Sequence, residues 1–327
     1  DHIYYSLIFF IKFNKYNLKN SIVISAFPIP EVCFFATLIC KKKNIPIVID
    51  IRDQWPDIFF DKKNIISKTL LKIIFYYQTL INKYTFKNCS GIFSITKNFL
   101  TFGSKHREQI NNKNNRVFPL AYKKKKYDFD KDLTVRFRDK LSQINFNKTN
   151  ICFFGVINFK KFDFLTLFDF IEHKSSDIEN FNFIICGSGD DENLIHNFKH
   201  PSLQYLGWLN EAEISFIASK SHWGLANYKP TNDFNMSIPN KIIEYLSYGL
   251  PIIHSLKGDT YNFLNQNNIN YFYEYKNLES LSNLFKKIDK DTKNEMHVHN
   301  LNIFNKNFNS DIIYNDMIET LLNFNEH

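Results

Sequence analysis

The chain reads as an α/β protein of two doubly wound, Rossmann-like domains. Three observations predict this. At 327 residues it is longer than one hydrophobic core usually spans. Short, continuously apolar runs alternate with stretches of helical spacing, the pattern of parallel strands covered on both faces. That alternation runs twice, separated by residues 123–149, where charge is mixed and strand signal is lacking.

The first series opens with residues 21–26 (SIVISA), a β-branched strand, followed by Pro28, Pro30 and a helical pattern to Lys43. Residues 45–51 (IPIVIDI) form a second strand. Residues 66–86 place apolar side chains at 66, 70, 73, 74, 77, 80, 81 and 84, a helical spacing. Strands at 91–95 and 116–120 close the series, the last stopped at Pro119. The second series starts at 151–156, continues with strands at 181–186, 203–206, 223–226 and 251–254, and has helices between them. The expected domains are therefore 1–147 and 148–309, with a C-terminal helix, 310–327, returning to the first. In such sheets ligands sit beyond the carboxyl ends of the strands, so each domain should present its chemistry to a shared cleft.

Composition narrows the class. Hydrophobic residues make up 44% and charged residues 23%, which excludes wholesale disorder. The apolar run at 4–11 is too short to span a membrane, Lys12 interrupts it, and no cleavage site follows, so neither anchor nor signal peptide is expected. Five scattered cysteines fit reduced, buried thiols in a cytoplasmic protein. His297 and His299 lack neighbouring ligands and read as a solvated helix end. The net charge of +8 points to anionic partners. No RNA-binding or helix-turn-helix signature accompanies it, so nucleic acid is not among them.

The most informative stretch is 237–253, SIPNKIIEYLSYGLPII. Ser237 or Asn240 can cap a helix and Pro239 suits its first turn. Gly249 ends it and Pro251 starts the next strand. The amides of the first turn would attract a phosphate. Glu244, one turn in, is either a carboxylate for two ribose hydroxyls or an exposed helix residue. Lys241, at the helix start, is a cation candidate for the phosphates.

With these residues in view, PNKIIEYLSYGLPII resembles the donor-site segment of glycosyltransferase family 4, retaining enzymes of the GT-B fold. Residues 183–190 (FIICGSGD) resemble that family's strand and GxG turn at Gly187. Residues 206–213 (LGWLNEAE), with Gly207, resemble its loop beside the nucleobase. Residues 153–161 (FFGVINFKK), with Gly155, resemble the glycine turn that opens the donor domain. In the first domain, 48–57 (VIDIRDQWPD) resembles the D-x-R-D-x-W-P signature of a bacterial branch that builds surface polysaccharide.

The resemblance implies a hexosyltransferase that moves a sugar from a nucleoside-diphosphate donor, UDP favoured, to a glycan or lipid-linked glycan of capsule or O-antigen type. It implies Lys161, with Lys160, at the diphosphate, and Glu244 at the ribose. Basic side chains and a helix N-terminus then serve in place of a metal, so no cofactor is expected. Asp53, with Asp50 as runner-up and Arg52 beside them, is expected at the acceptor, although Arg52 could simply pair with either Asp and Trp55 pack in the core. Val156 stands where the family often has Arg, and Met236 where many members have a second Glu. Residues 1–20 lack the family's opening strand and Gly-rich turn, as in a fragment or a shortened domain. These departures support an alternative, an inactive homologue acting as a binding subunit. Sugar-nucleotide 2-epimerases share the fold, but their His and Glu arrangement is absent. Lys41–Lys43 and the 66–86 helix, with Lys68, Lys72, Lys83 and Lys87, either face an anionic membrane surface at the inner side of the cytoplasmic membrane or, for the helix, turn the apolar stripe to the sheet.

Overall fold

The computed structural model describes residues 2–59, 65–105, 114–142, 144–174, 178–288 and 292–325. The chain divides into two compact units, Asp1–Leu120 with Asp311–His327, and Ala121–Ser310.

The first unit holds a four-stranded parallel sheet in the order β1-β2-β3-β4, with β1 Val23–Phe27, β2 Ile47–Ile51, β3 Gly91–Ser94 and β4 Arg116–Val117. All five residues of β2 are buried, as expected for an inner parallel strand. The helix Pro30–Lys42 links β1 to β2. The C-terminal segment closes on this unit, where Arg116 pairs with Asp316 at 2.9 Å and Phe324 meets the ring of Phe93.

Two expectations about this unit are corrected. The single helix over 66–86 is two helices, Ile65–Ile74 and Tyr76–Asn88, because Phe75 turns its ring onto Phe59 and Trp55 at 5.6 and 5.8 Å. The apolar stripe also does not face the sheet. Tyr76–Asn88 buries Gln78, Asn82, Thr85 and Phe86, whereas Leu70, Ile73, Ile74, Tyr76 and Leu80 are exposed. Gln78 accepts from the Trp55 indole and donates to buried Glu31, so polar pairing joins the burial of Phe86 against Phe27 and Phe102 in seating this helix. The side chains of Ile66 and Lys68 lie outside the described residues.

The second unit holds a six-stranded parallel sheet in the order β10-β9-β8-β5-β6-β7. Its strands are β5 Thr149–Phe154, β6 Phe181–Cys186, β7 Leu203–Gly207, β8 Trp223–Ala226, β9 Ile252–His254 and β10 Tyr271–Phe272. The boundary falls at Leu120, not near 148. Residues 121–147 belong to the second unit because Phe129, Phe137 and Phe146 each set a ring edge-on to Phe216, at 5.3, 5.8 and 6.5 Å. Lys125 adds an ion pair with Glu211 at 2.7 Å.

All five cysteines are free and buried. His297 and His299 sit within the helix Thr292–Phe308 rather than at its end. His297 packs against Gly249, and His299 meets the carbonyl of Asn267 at 2.8 Å. Among the described residues no three His, Cys, Asp or Glu side chains converge as a metal site, and no helix is long and apolar enough to cross a membrane.

Candidate nucleotide site

The order of the second sheet places the site. Counted along the chain, its six strands lie 3-2-1-4-5-6, so the winding reverses between the first, β5, and the fourth, β8. Beyond the carboxyl ends of such a pair a crevice opens that neither neighbouring helix covers. Gly155 follows β5 directly, and Asn227 follows β8.

Glycines let the loops above β5 and β6 touch. Gly155 and Gly187 have φ of +136° and +142°, and a β-carbon on Gly187 would lie 1.7 Å from the carbonyl oxygen of Gly155. The loop after β5 is then fixed by side chains. The Asn158 carboxamide oxygen accepts from the amides of Lys160 and Lys161 at 2.9 and 3.1 Å, and Asp191 accepts from the amide of Phe159 at 2.7 Å. The amide of Lys229 reaches the carbonyl of Lys161 at 2.9 Å, and that of Asp163 reaches Asn227 at 2.7 Å, so the loops after β5 and β8 form one rim.

The helix Asn240–Ser247 follows β8 and aims its first turn at this rim. Its N-cap is Pro239, with no side-chain cap, which corrects the expectation of Ser237 or Asn240. Gly224 of β8 admits the helix, since a β-carbon there would lie 2.4 Å from the Tyr245 ring. The Tyr245 hydroxyl lies 3.1 Å and 3.0 Å from the carbonyl oxygens of Cys152 and Leu225, and accepts from the amide of Phe154 at 3.4 Å.

Lys241 is drawn inward by the same geometry. It is only 5% exposed, and its ammonium sits 3.8 Å from the Phe153 ring centroid and 5.1 Å from that of Phe162. A β-carbon on the exposed Gly155 would lie 2.9 Å from its Nζ, so the missing side chain leaves the ammonium reachable from the crevice. Burial lowers the Lys241 pKa to about 7, against the pull of Glu244. Burial raises the Glu244 carboxyl above its ordinary value, while Lys241 opposes the shift.

Lys160 and Lys161 are exposed, and the Lys161 ammonium lies 5.3–5.8 Å from the rings of Phe162, Tyr228 and Phe234. The structure therefore brings Gly155, Lys161, Gly187, Lys241 and Glu244 together where β5 and β8 part, and Asn240 opens the helix that carries two of them. Gly207, with φ of +69°, starts a loop that ends in a capping box between Asn210 and Glu213. Beside it lies a cavity of about 240 Å³ lined by Thr134, Arg136, Phe137, Lys140, Trp208 and Leu209 among others. Lys140 holds the carbonyl of Leu206.

Sequence reasoning missed the ring box of Phe153 and Phe162, and the roles of Asn158 and Asp191. Aromatic residues flanking the glycine turn were the available signal for the box. It also missed Asn227, wholly buried, whose side-chain oxygen and nitrogen both lack a hydrogen-bond partner, as does Oδ2 of Asp163.

In the first unit, Arg52 pairs with Asp50, with Nε and an η-nitrogen each 2.8 Å from the same carboxylate oxygen. Asp53 accepts from the amide of Gln54 at 2.6 Å, and Trp55 packs against Phe59 at 4.7 Å. Asp50 and Trp55 are thus held within the unit.

The fold class is α/β with two parallel, Rossmann-like sheets, the architecture of GT-B glycosyltransferases. Solved structures of such enzymes match nearly all of the chain. HepE from Anabaena in complex with UDP aligns with a TM-score of 0.68 at 11% identity, over 97% of this chain and 82% of that one. The OtsA apo structure aligns at 0.69 and 10% identity, over 98% and 77%. The apo form of WaaB, the lipopolysaccharide outer core galactosyltransferase, aligns at 0.62 and 13%, over 97% and 80%. At these identities the likeness establishes the fold. No family model matches the chain, and no curated protein matches it in sequence.

Proposed function

We propose that the chain is a retaining glycosyltransferase that moves a hexose from a nucleoside-diphosphate donor to a glycan or lipid-linked glycan of surface polysaccharide. The observation that carries this is the buried, reachable ammonium of Lys241 at the strand reversal, with Glu244 one turn further along the same helix. The bond that breaks joins the anomeric carbon to the donor's phosphate oxygen, so negative charge develops on the departing diphosphate. Lys241, the exposed Lys161 and the uncapped helix start stabilise that charge in place. Glu244 accepts from the ribose hydroxyls, and the loop from Gly207 with its cavity takes the base. UDP is favoured because HepE is solved with UDP and with UDP-glucose. Asp53 orients the acceptor hydroxyl or takes its proton, with Asp50 and Arg52 beside it.

A thermal-shift screen across UDP-, GDP-, ADP- and dTDP-sugars tests the donor site, because a ligand that binds only the folded state raises its melting temperature. Stabilisation by none of them rejects the reading. Stabilisation without release of nucleoside diphosphate in the presence of any glycan acceptor favours the inactive binding subunit. Activity is proposed to be metal-independent and should survive EDTA; loss restored by Mg²⁺ or Mn²⁺ would reverse that.

The exposed Leu70, Ile73, Ile74, Tyr76 and Leu80, with Lys72, Lys83 and Lys87 alongside, support docking of the first unit on an anionic membrane surface. Co-sedimentation with anionic vesicles should be lost in high salt and in Ile73→Ser/Leu80→Ser. Equal, negligible binding to neutral and anionic vesicles rejects it.

A further inference from the structure

The surroundings of Lys241 are short of negative charge. Its ammonium faces the rings of Phe153, Phe162 and Tyr245 at 3.8, 5.1 and 6.0 Å. The titratable groups that act on it are Glu244 on its own helix, Lys161 on the loop after β5, Cys152 on β5 and Cys186 on β6. Both thiols are kept neutral by burial, and Lys161 is a like charge. Glu244 is the one acid, and burial pushes it too toward its neutral form. Among the described residues no acceptor forms a hydrogen bond with Nζ of Lys241. Gly155, exposed and without a side chain, lies over Nζ.

We infer that a donor phosphate supplies the absent counter-anion and that Lys241 takes up a proton from solution as the nucleotide binds, so that donor affinity falls as the pH rises above neutrality. This rests on the donor-site reading above and adds to it a proton that the reading alone does not require. The sign follows from burial. In the free protein Lys241 titrates at about 7, so above that pH it is mostly neutral. A bound phosphate raises its pKa toward the ordinary lysine range, so the complex holds the ammonium. Above neutrality binding must then draw one proton, and affinity drops by up to about tenfold per pH unit. Below neutrality the ammonium is present in both states and no proton moves.

Isothermal calorimetry with UDP-glucose, whose phosphodiester groups do not titrate in this range, measures the proton directly. Titrations near pH 6 and pH 8, each in non-phosphate buffers of different ionisation enthalpy, should give uptake close to zero and close to one. Lys241→Arg, which stays charged, should bind without uptake, and Lys241→Met should bind weakly with little pH dependence. Lys161→Met should retain the uptake. The wild-type measurement stands alone if a variant fails to fold. Binding with no uptake near pH 8, or uptake undiminished in Lys241→Met, overturns the inference and leaves the donor site intact. If UDP-glucose does not bind, GDP-, ADP- and dTDP-glucose take its place as probes; binding of none rejects both.

Discussion

Both sheets are parallel, but only one reverses its winding. In the first unit the strands lie in chain order, β1-β2-β3-β4. Beyond β2, Arg52 pairs with Asp50, and Asp57 pairs with Lys105 at 3.0 Å. In the second unit the order reverses between β5 and β8, and the Lys241 ammonium placed there forms no ion pair among the described residues. A paired charge at a strand end explains itself as structure, since removing one partner exposes the other. A buried cation facing aromatic rings and an open glycine implies a ligand. The difference supports the proposal of donor chemistry in the second unit, and acceptor chemistry in the first stands as a proposal beside it.

The largest effect should come from closing the reversal. Gly187→Ala puts a β-carbon 1.7 Å from the carbonyl oxygen of Gly155 at a φ that side chains rarely adopt, and should cost on the order of 3 kcal/mol and abolish nucleotide binding. In the first unit, Gly103→Ala meets side-chain methyls of Ile51 and Ile92, which can shift where a backbone carbonyl cannot, and should cost less. Melting temperatures with and without nucleotide compare the two; equal, small losses would remove the distinction between the sheets.

Next, Glu244→Ala should weaken nucleotide binding well over tenfold, from a loss of roughly 2–5 kcal/mol for a buried polar contact. Asp53→Asn should leave the dissociation constant within about twofold while transfer slows at least about tenfold. The opposite split would exchange the roles of the units, and a wild-type transfer rate would clear Asp53.

The last prediction is a stability difference without ligand. Lys241 titrates at about 7 in the folded protein and near 10.4 when unfolded. Between those values the unfolded chain binds more protons, so the folded state gains stability as pH rises from about 7 toward about 10. Denaturant midpoints should show that rise in wild type relative to Lys241→Met. Parallel pH curves would mean that Lys241 is not desolvated as described.

Much of this was legible beforehand, for reasons that differ between residues. Alternation of apolar strands with helices encoded both sheets, because an inner parallel strand is buried on both faces, as in β2, where Asp50 alone interrupts the apolar run. Gly155, Gly187 and Glu244 could be singled out because turn geometry and helix position are local. The boundary at Leu120 was not legible, since Phe129, Phe137 and Phe146 find Phe216 only after folding and follow no period. The burial of Lys241, against the exposure of Lys161, was hidden similarly. A sequence shows two lysines, but burial is a property of the packed helix. The broken 66–86 helix kept its apolar spacing while exposing it, because its inward face is held by Gln78, Asn82 and Phe86 instead.

The Tyr245 hydroxyl has a consequence for the width of the crevice. β5 and β6 are in register over six residue pairs, but β5 and β8 over two, Ile151 with Trp223 and Cys152 with Gly224. Where that ladder stops, the phenol oxygen meets Phe154 on one side and Leu225 on the other. It acts as a rung inserted from outside the sheet, wider than a peptide contact, and it sets how far the two strands splay. The gap at the strand reversal is therefore gauged by a single side chain of the helix that also carries Lys241 and Glu244. Seating that helix and opening the mouth of the site are one event.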